Sequence, residues 1–261
     1  MSFLIAVYVN EGIVLASDRR TTYNRTENIN GVLVQKFGLH TTNSTEKTFL
    51  CPNGAGISTC GDASLLGKPI TGYIKEVIRG ISPEMPVSDV PQMLVDYFGS
   101  QSVVPDTHFF VAGYDKDHDQ VHQRLYKVNL KDATQIVPVD TSTQGASWDG
   151  EIMSLTRLVQ NVAVKKPDGT YVDLPNEEIL WGYFTLQDAI DFARYAVETT
   201  INTMRFKNVV ETVGGNVDIL VITPDETKWL QKTELIALLT KAVTLYSRCI
   251  IGIGDDRNAA Q

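Results

Sequence analysis

The opening residues alternate little between apolar and polar. Positions 3–9 read Phe-Leu-Ile-Ala-Val-Tyr-Val, Asn10 and Glu11 form a short polar step, and Gly12 leads into Ile13-Val14-Leu15-Ala16. This pattern predicts strand, tight turn and strand, a hairpin starting at the amino end. The runs are almost continuously apolar, so both faces of the hairpin are expected to be covered. Residues 18–31 are polar and read as a connector, Val32-Leu33-Val34 as a short strand, and 41–46 as a further connector. Strands are expected at 47–50 and 55–61, parted by the turn Pro52-Asn53-Gly54. The second consists of small residues, which permit close backbone approach, and ends in Gly61.

Helical spacing then takes over. Leu65, Leu66, Ile70, Ile74, Val77 and Ile78 make a stripe over 62–80, and Val90, Leu94, Val95 and Phe98 another over 89–98, where Pro91 suits a first turn. Residues 108–114 and 123–128 read as strands joined by a polar loop at 115–120, with a shorter strand at 136–139. A helix is expected over 151–160, and Thr185 is placed to cap a longer one over 186–204. Residues 217–222 read as a central strand stopped by Pro224, 233–246 as a last helix, and the tail after Gly252 as polar. Without a Gly-, Pro- or Ser-rich linker or a repeat, this order predicts sheets with helices outside them in one domain.

Composition narrows the class of protein. The 261 residues carry 23 Lys+Arg against 31 Asp+Glu, a formal net charge of -8, with the basic residues scattered. That disfavours a nucleic-acid partner, which needs a basic face. No apolar stretch approaches the roughly 18 residues of a membrane span, and no basic segment precedes an apolar run as in a signal peptide. Three cysteines, Cys51, Cys60 and Cys249, are too few for a disulfide framework and read as cytoplasmic thiols.

Several short pieces occur in a telling order. These are Gly12-Ile13-Val14-Leu15-Ala16-Ser17-Asp18-Arg19-Arg20-Thr21, Lys47 at the head of a strand, Gly56 with Cys60-Gly61-Asp62-Ala63, Ala112-Gly113-Tyr114-Asp115, Leu125-Tyr126, and Gly214-Gly215-Asn216-Val217-Asp218-Ile219. Together they resemble the proteasome-type branch of the N-terminal nucleophile (Ntn) hydrolases over roughly residues 2–223. The resemblance implies an α+β fold, a four-layer αββα sandwich forming a single domain over 1–261 with a C-terminal helical extension at 224–261. It also implies self-association into a ring or other homo-oligomer, a peptide or amide substrate, no cofactor, no metal and no membrane or nucleic-acid partner.

By this resemblance Ser2 is the nucleophile once Met1 is removed. Its freed α-amine, with a reference pKa of about 7.7–8, would be the base. Lys47 would lower that pKa and stabilise the developing alkoxide, and Asp18 would pair with Lys47. Arg20 would organise the loop, Gly61 would offer an oxyanion-hole amide, and Ser147 would lend support. The chain also departs from the family pattern. Serine stands where proteasomal members use threonine, Val210 and Val213 stand where a supporting Asp and Ser are expected, and Ala146 precedes Ser147 at the other supporting serine. About a dozen extra residues separate Asp18 from Lys47. Two alternatives to an N-terminal serine peptidase or amidase therefore stay open: a catalytically inactive structural or assembly subunit, and a hydrolase of small linear amides.

The remaining chemistry-bearing residues receive ordinary readings. His118, Asp119 and His122 sit in a polar loop and strand edge and lack nearby further ligands. His40 and His108 receive no role, and Cys60 reads as a small buried residue. Gly54-Ala55-Gly56 lacks the Gly-Lys-Ser/Thr of a phosphate loop. Trp148, Trp181 and Trp229 read as packing residues.

Overall fold

A computed structural model describes residues 2–117, 120–175 and 177–234. The predicted opening hairpin is β1 (Phe3–Val9) and β2 (Gly12–Ser17). Next come β3 (Thr21–Ile29) and β4 (Val32–Thr42), then β5 (Thr48–Leu50), β6 (Gly56–Gly61), and the short β7 (Ser64–Leu65) and β8 (Lys68–Pro69). Two helices, α1 (Ile70–Arg79) and α2 (Val90–Gly99), precede β9 (Thr107–Asp117), β10 (Gln120–Asn129), β11 (Ile136–Pro138) and β12 (Gly145–Gly150). After α3 (Met153–Val159) come β13 (Ala163–Lys165) and β14 (Tyr171–Asp173). The helix α4 (Leu186–Arg205), β15 (Asp218–Ile222) and β16 (Thr227–Gln231) complete the described chain.

Two five-stranded antiparallel sheets organise these elements. One has the order β12-β1-β2-β15-β16 and the other β11-β10-β9-β6-β5. The period of two along β1 sorts its side chains between two cores. Phe3, Ile5, Val7 and Val9 join Ala189, Ala193, Val197 and Met204 of α4 in one cluster. Leu4 and Ala6 face the second sheet, meeting Cys60, Phe110, Ala112 and Leu125. The outer face of that second sheet packs Phe49, Ile57, Phe109 and Val111 against Ile74 and Val77 of α1 and Leu94 and Phe98 of α2. Both faces of the opening hairpin are covered, as its unbroken apolar runs required. A buried hydroxyl chain crosses between the sheets: Ser17 of β2 meets Thr48 at 2.8 Å, and Thr48 meets Ser58 at 2.9 Å. This is a mixed α+β architecture with antiparallel sheets.

Several expectations change for local reasons. The polar stretch 18–31 is largely strand: β3 pairs with β4 through an Asn30-Gly31 turn whose φ values are 53° and 84°. Both residues occupy the left-handed region, as a type I′ hairpin turn demands. The ribbon belongs to neither large sheet, so its side chains lack the one-sided burial that would have marked it as strand. Residues 64–69 form the β7–β8 pair instead of the first turns of a helix, because Leu66-Gly67 makes a left-handed turn (φ 50° and 76°) and α1 starts only after Pro69. β9 and β10 run through most of the predicted 115–120 loop, while His118 and Asp119 lie outside the described residues. β12, β13, β14 and β16 carry patterns too short or too polar for a strand signal. Thr185 caps α4 as expected, in a reciprocal arrangement with Asp188. Within the expected helical extension at 224–261, residues 227–231 form β16. Nearly all of the helix expected at 233–246, with Cys249 and the polar tail, lies outside the described residues. Among the described residues no helix is long and apolar enough to cross a membrane.

Candidate functional site

Of the residues implied by the family resemblance, Ser2, Asp18, Arg20 and Lys47 come together at one end of the first sheet, Gly61 lies nearby on the second, and Ser147 stands apart, mid-strand on β12. Ser2 precedes β1, is buried, and accepts a hydrogen bond on its carbonyl from the Glu151 amide at 2.7 Å. Asp18 follows β2 and is fully buried. Its Oδ1 accepts from the Phe3 amide (3.1 Å) and Lys47 Nζ (2.7 Å), and its Oδ2 from the amides of Arg20 (3.0 Å) and Gly214 (2.9 Å). Four donors thus satisfy one carboxylate, which a buried charge requires. Lys47 donates to Asp18 and to the Arg20 carbonyl. Burial holds its pKa below the usual lysine range, against the pull of Asp18.

The supporting residues have structural partners as well. The Arg20 guanidinium bonds to Glu211 and Asn43 and lies against Gly214, where a Cβ would meet Arg20 at 2.5 Å. Gly61 has φ +108°, and a Cβ there would stand 2.1 Å from the Asp106 carbonyl oxygen, so only glycine fits. Ser147, on β12 opposite Ala6, is buried. Of the family positions filled by valine, Val213 is buried in the α4 cluster and Val210 is exposed.

This geometry overturns the expectation of an N-terminal serine peptidase or amidase built on Ser2. Among the described residues, no hydrogen bond joins Lys47 to the Ser2 hydroxyl; the ammonium is directed to Asp18 and Arg20. The cavity shared by Ser2, Lys47, Thr21 and Cys60 has a volume of about 30 Å³, room for no more than about two or three water molecules. The side chains that do converge beside a substantial opening are of a metal-ligating kind and include no N-terminal nucleophile.

Those side chains are Cys60, His108 and Asp149, with one ligating atom of each within 4.8 Å of the others. Strand register brings them together. Cys60 of β6 stands directly across from His108 of β9, and Leu4 of β1 across from Asp149 of β12. Partners across an antiparallel pair share a face, and Leu4 and Cys60 both face the space between the sheets. Two sheets therefore deliver their side chains to one point at the rim of their common core. His108 Nδ1 lies 2.9 Å from Asp149 Oδ2, and the Gly150 amide donates to Asp149 Oδ1 at 2.6 Å. On the other side of the ring, Nε2 is 3.8 Å from Asp106 Oδ1.

The electrostatics follow from these contacts. The bond to Asp149 raises the His108 pKa above its ordinary 6.5, although burial opposes it. Burial pushes the Asp149 carboxyl upward, but the His108 bond and charge and the Gly150 amide outweigh it and hold it below the usual value. Burial, reinforced by the Asp149 charge, pushes the Cys60 thiol well up, so it is no free thiolate. A cavity of about 440 Å³ opens beside the cluster, with Tyr23, Asn24 and Asp62 in its wall. No sequence signal marked this site. His108 and Asp149 are 41 residues apart, and neither they nor Cys60 form a ligand-like spacing. His122, the described member of the polar pair considered above, lies across from Asp115 on β10, away from the cluster.

Fold and site together define a mixed α+β protein of antiparallel sheets and packed helices, without an evident N-terminal serine site. Solved structures that share this fold include Anbu from Hyphomicrobium sp. strain MC1, with a TM-score of 0.55 and 13% identity over 98% of this chain and 100% of that one. A Gly-1 mutant of the same protein matches equally well, covering 99% and 100% of the two chains. Anbu from Yersinia bercovieri, described as an ancestral β-subunit, matches with a TM-score of 0.51 and 11% identity over 99% of both chains. At such identities the likeness is one of fold. No protein-family model matches the chain, and no curated protein sequence does.

Proposed function

We propose that this chain is a catalytically silent, proteasome-like structural subunit that assembles with copies of itself. The observation that carries the reading is the Lys47 ammonium, directed to Asp18 and the Arg20 carbonyl and not to Ser2. In this reading the family's lysine–aspartate pair serves to knit the ends of β2 and β5 to the Gly214 turn. The whole of 1–261 is then one domain, and the succession of helix, sheet, sheet and helix clusters corresponds to a four-layer αββα sandwich. Two buried free thiols, Cys51 and Cys60, suit a reducing cytoplasm.

Self-association is favoured by the β3–β4 ribbon. Ile29, Val32, Leu33 and Leu39 are exposed on it, with Leu33 at 73% of its full accessibility. Such an apolar ribbon outside the main sheets is a natural contact surface. Light scattering coupled to size exclusion, with negative-stain imaging, tests the assembly. The expected result is a discrete closed or stacked oligomer; a monomer at every concentration tested rejects it. An epoxyketone probe tests the silence of the site, with no labelling expected and labelling of Ser2 decisive against it.

A further inference from the structure

We propose that Cys60, His108 and Asp149 bind one divalent transition-metal ion of the zinc type, which joins the two large sheets at the rim of their shared core. The donor set is the first argument. A thiolate, an imidazole and a carboxylate are the three protein ligand types that zinc accepts, and sulfur with nitrogen disfavours magnesium or calcium. Convergence is the second. The three ligating atoms already lie within 4.8 Å of one another. Donors around a tetrahedral zinc ion stand about 3.5 Å apart, so closing on the ion takes shifts on the order of 1 Å.

The scaffold is the third argument. Each ligand sits on a strand and none on a flexible loop, and cross-strand register sets its position. Asp106 Oδ1 lies 3.8 Å from the second His108 nitrogen, beyond a hydrogen bond but within a shift of about 1 Å of one. An outer carboxylate of this kind orients a metal-bound histidine. Three protein ligands beside a cavity of about 440 Å³ leave a fourth position for water or a small anionic donor. On binding, the ion replaces the thiol proton and the proton held between His108 and Asp149, both of which pass to solvent.

A cysteine nucleophile activated by His108 fits less well. Among the described residues the Cys60 sulfur makes no hydrogen bond to the ring, and the nitrogen away from Asp149 faces Asp106 instead. Nucleophile and base within hydrogen-bond reach are the signature of such a site.

The test uses the full chain, stripped with EDTA and titrated with Co²⁺ as a spectroscopic stand-in for zinc. Uptake of one equivalent per chain is expected, with a thiolate-to-cobalt charge-transfer absorption and the intense visible bands of a four-coordinate ion. Cys60→Ser should abolish the charge-transfer absorption, and Asp149→Asn should weaken binding by at least tenfold. Asp106→Asn should weaken zinc binding about tenfold while leaving the cobalt spectrum tetrahedral. Circular dichroism of each variant separates lost ligation from lost folding. Should the ligand variants not fold, the wild-type spectrum still decides. No cobalt uptake, uptake without a thiolate band, or a band that persists in Cys60→Ser each overturns the site. These readouts are independent of oligomeric state and of Ser2.

Discussion

Lys47 Nζ lies 2.7 Å from Asp18 Oδ1, with the two side chains 4% and 0% exposed. The pair joins the start of β5 to the end of β2, and the other Asp18 oxygen holds the amides of Arg20 and Gly214. Removing one member of a buried pair leaves an uncompensated charge, at a cost of about 3–5 kcal/mol. Lys47→Ala should therefore destabilise the fold by about that amount, measured as the shift of a urea unfolding midpoint at unchanged slope. A cost below about 1 kcal/mol would mean that water replaces the ammonium freely.

Glu46 supplies a pH-dependent clamp. It pairs with Lys75 of α1 at 2.6 Å and with Lys232 at 3.0 Å. Burial alone would raise its pKa, but the two lysines outweigh it and hold the carboxyl below its ordinary 4.5. A depressed carboxylate pKa contributes stability above about 4.5 that is lost as pH falls through the folded value. Glu46→Gln should therefore unfold earlier than wild type at pH 6, with the gap closing as the buffer is acidified below 4.5. An equal gap throughout that range would contradict the linkage.

Gly150 and Gly169 share a φ of +87° but not an environment. A Cβ on Gly150 would meet the Ser2 carbonyl oxygen at 1.9 Å, whereas nothing lies within 4 Å of one on Gly169. Gly169→Ala should cost only the strain of a left-handed residue, about 1 kcal/mol. Gly150→Ala should cost at least about 2 kcal/mol more, because Ser2 and β12 must separate. Thermal melts of the two variants make the comparison. Equal costs would show that the β1–β12 edge yields readily.

The β3–β4 ribbon can be tested without disturbing a core. Leu33→Asp with Val32→Lys changes exposed side chains and should alter monomer stability by no more than about 0.5 kcal/mol each. Sedimentation velocity should show smaller species than the wild type at equal concentration. An unaltered size distribution would move the contact surface elsewhere on the molecule.

The parts legible beforehand share a physical basis. The opening hairpin, the α4 cap at Thr185 and the helical stripes of α1 and α2 are encoded by near neighbours, through apolar period, turn residues and capping chemistry. β3, and β4 beyond the Val32-Leu33-Val34 strand already expected, escaped because an isolated ribbon buries neither face continuously. β12 escaped because Gly145-Ala-Ser-Trp-Asp-Gly has little strand propensity, and pairing with β1 supplies what the segment lacks.

The same division applies to function. The order of short motifs along the chain was enough to indicate the architecture and to bring Asp18 to Lys47. Local sequence could not say where the Lys47 ammonium would point, since the Arg20 carbonyl competes for it only after the β3–β4 ribbon has set the loop's path. Nor could it join Cys60, His108 and Asp149, which come from three strands in two sheets. Their meeting depends on strand register and on how one sheet lies over the other. Register and packing are properties of the whole fold, so no spacing within the sequence records them.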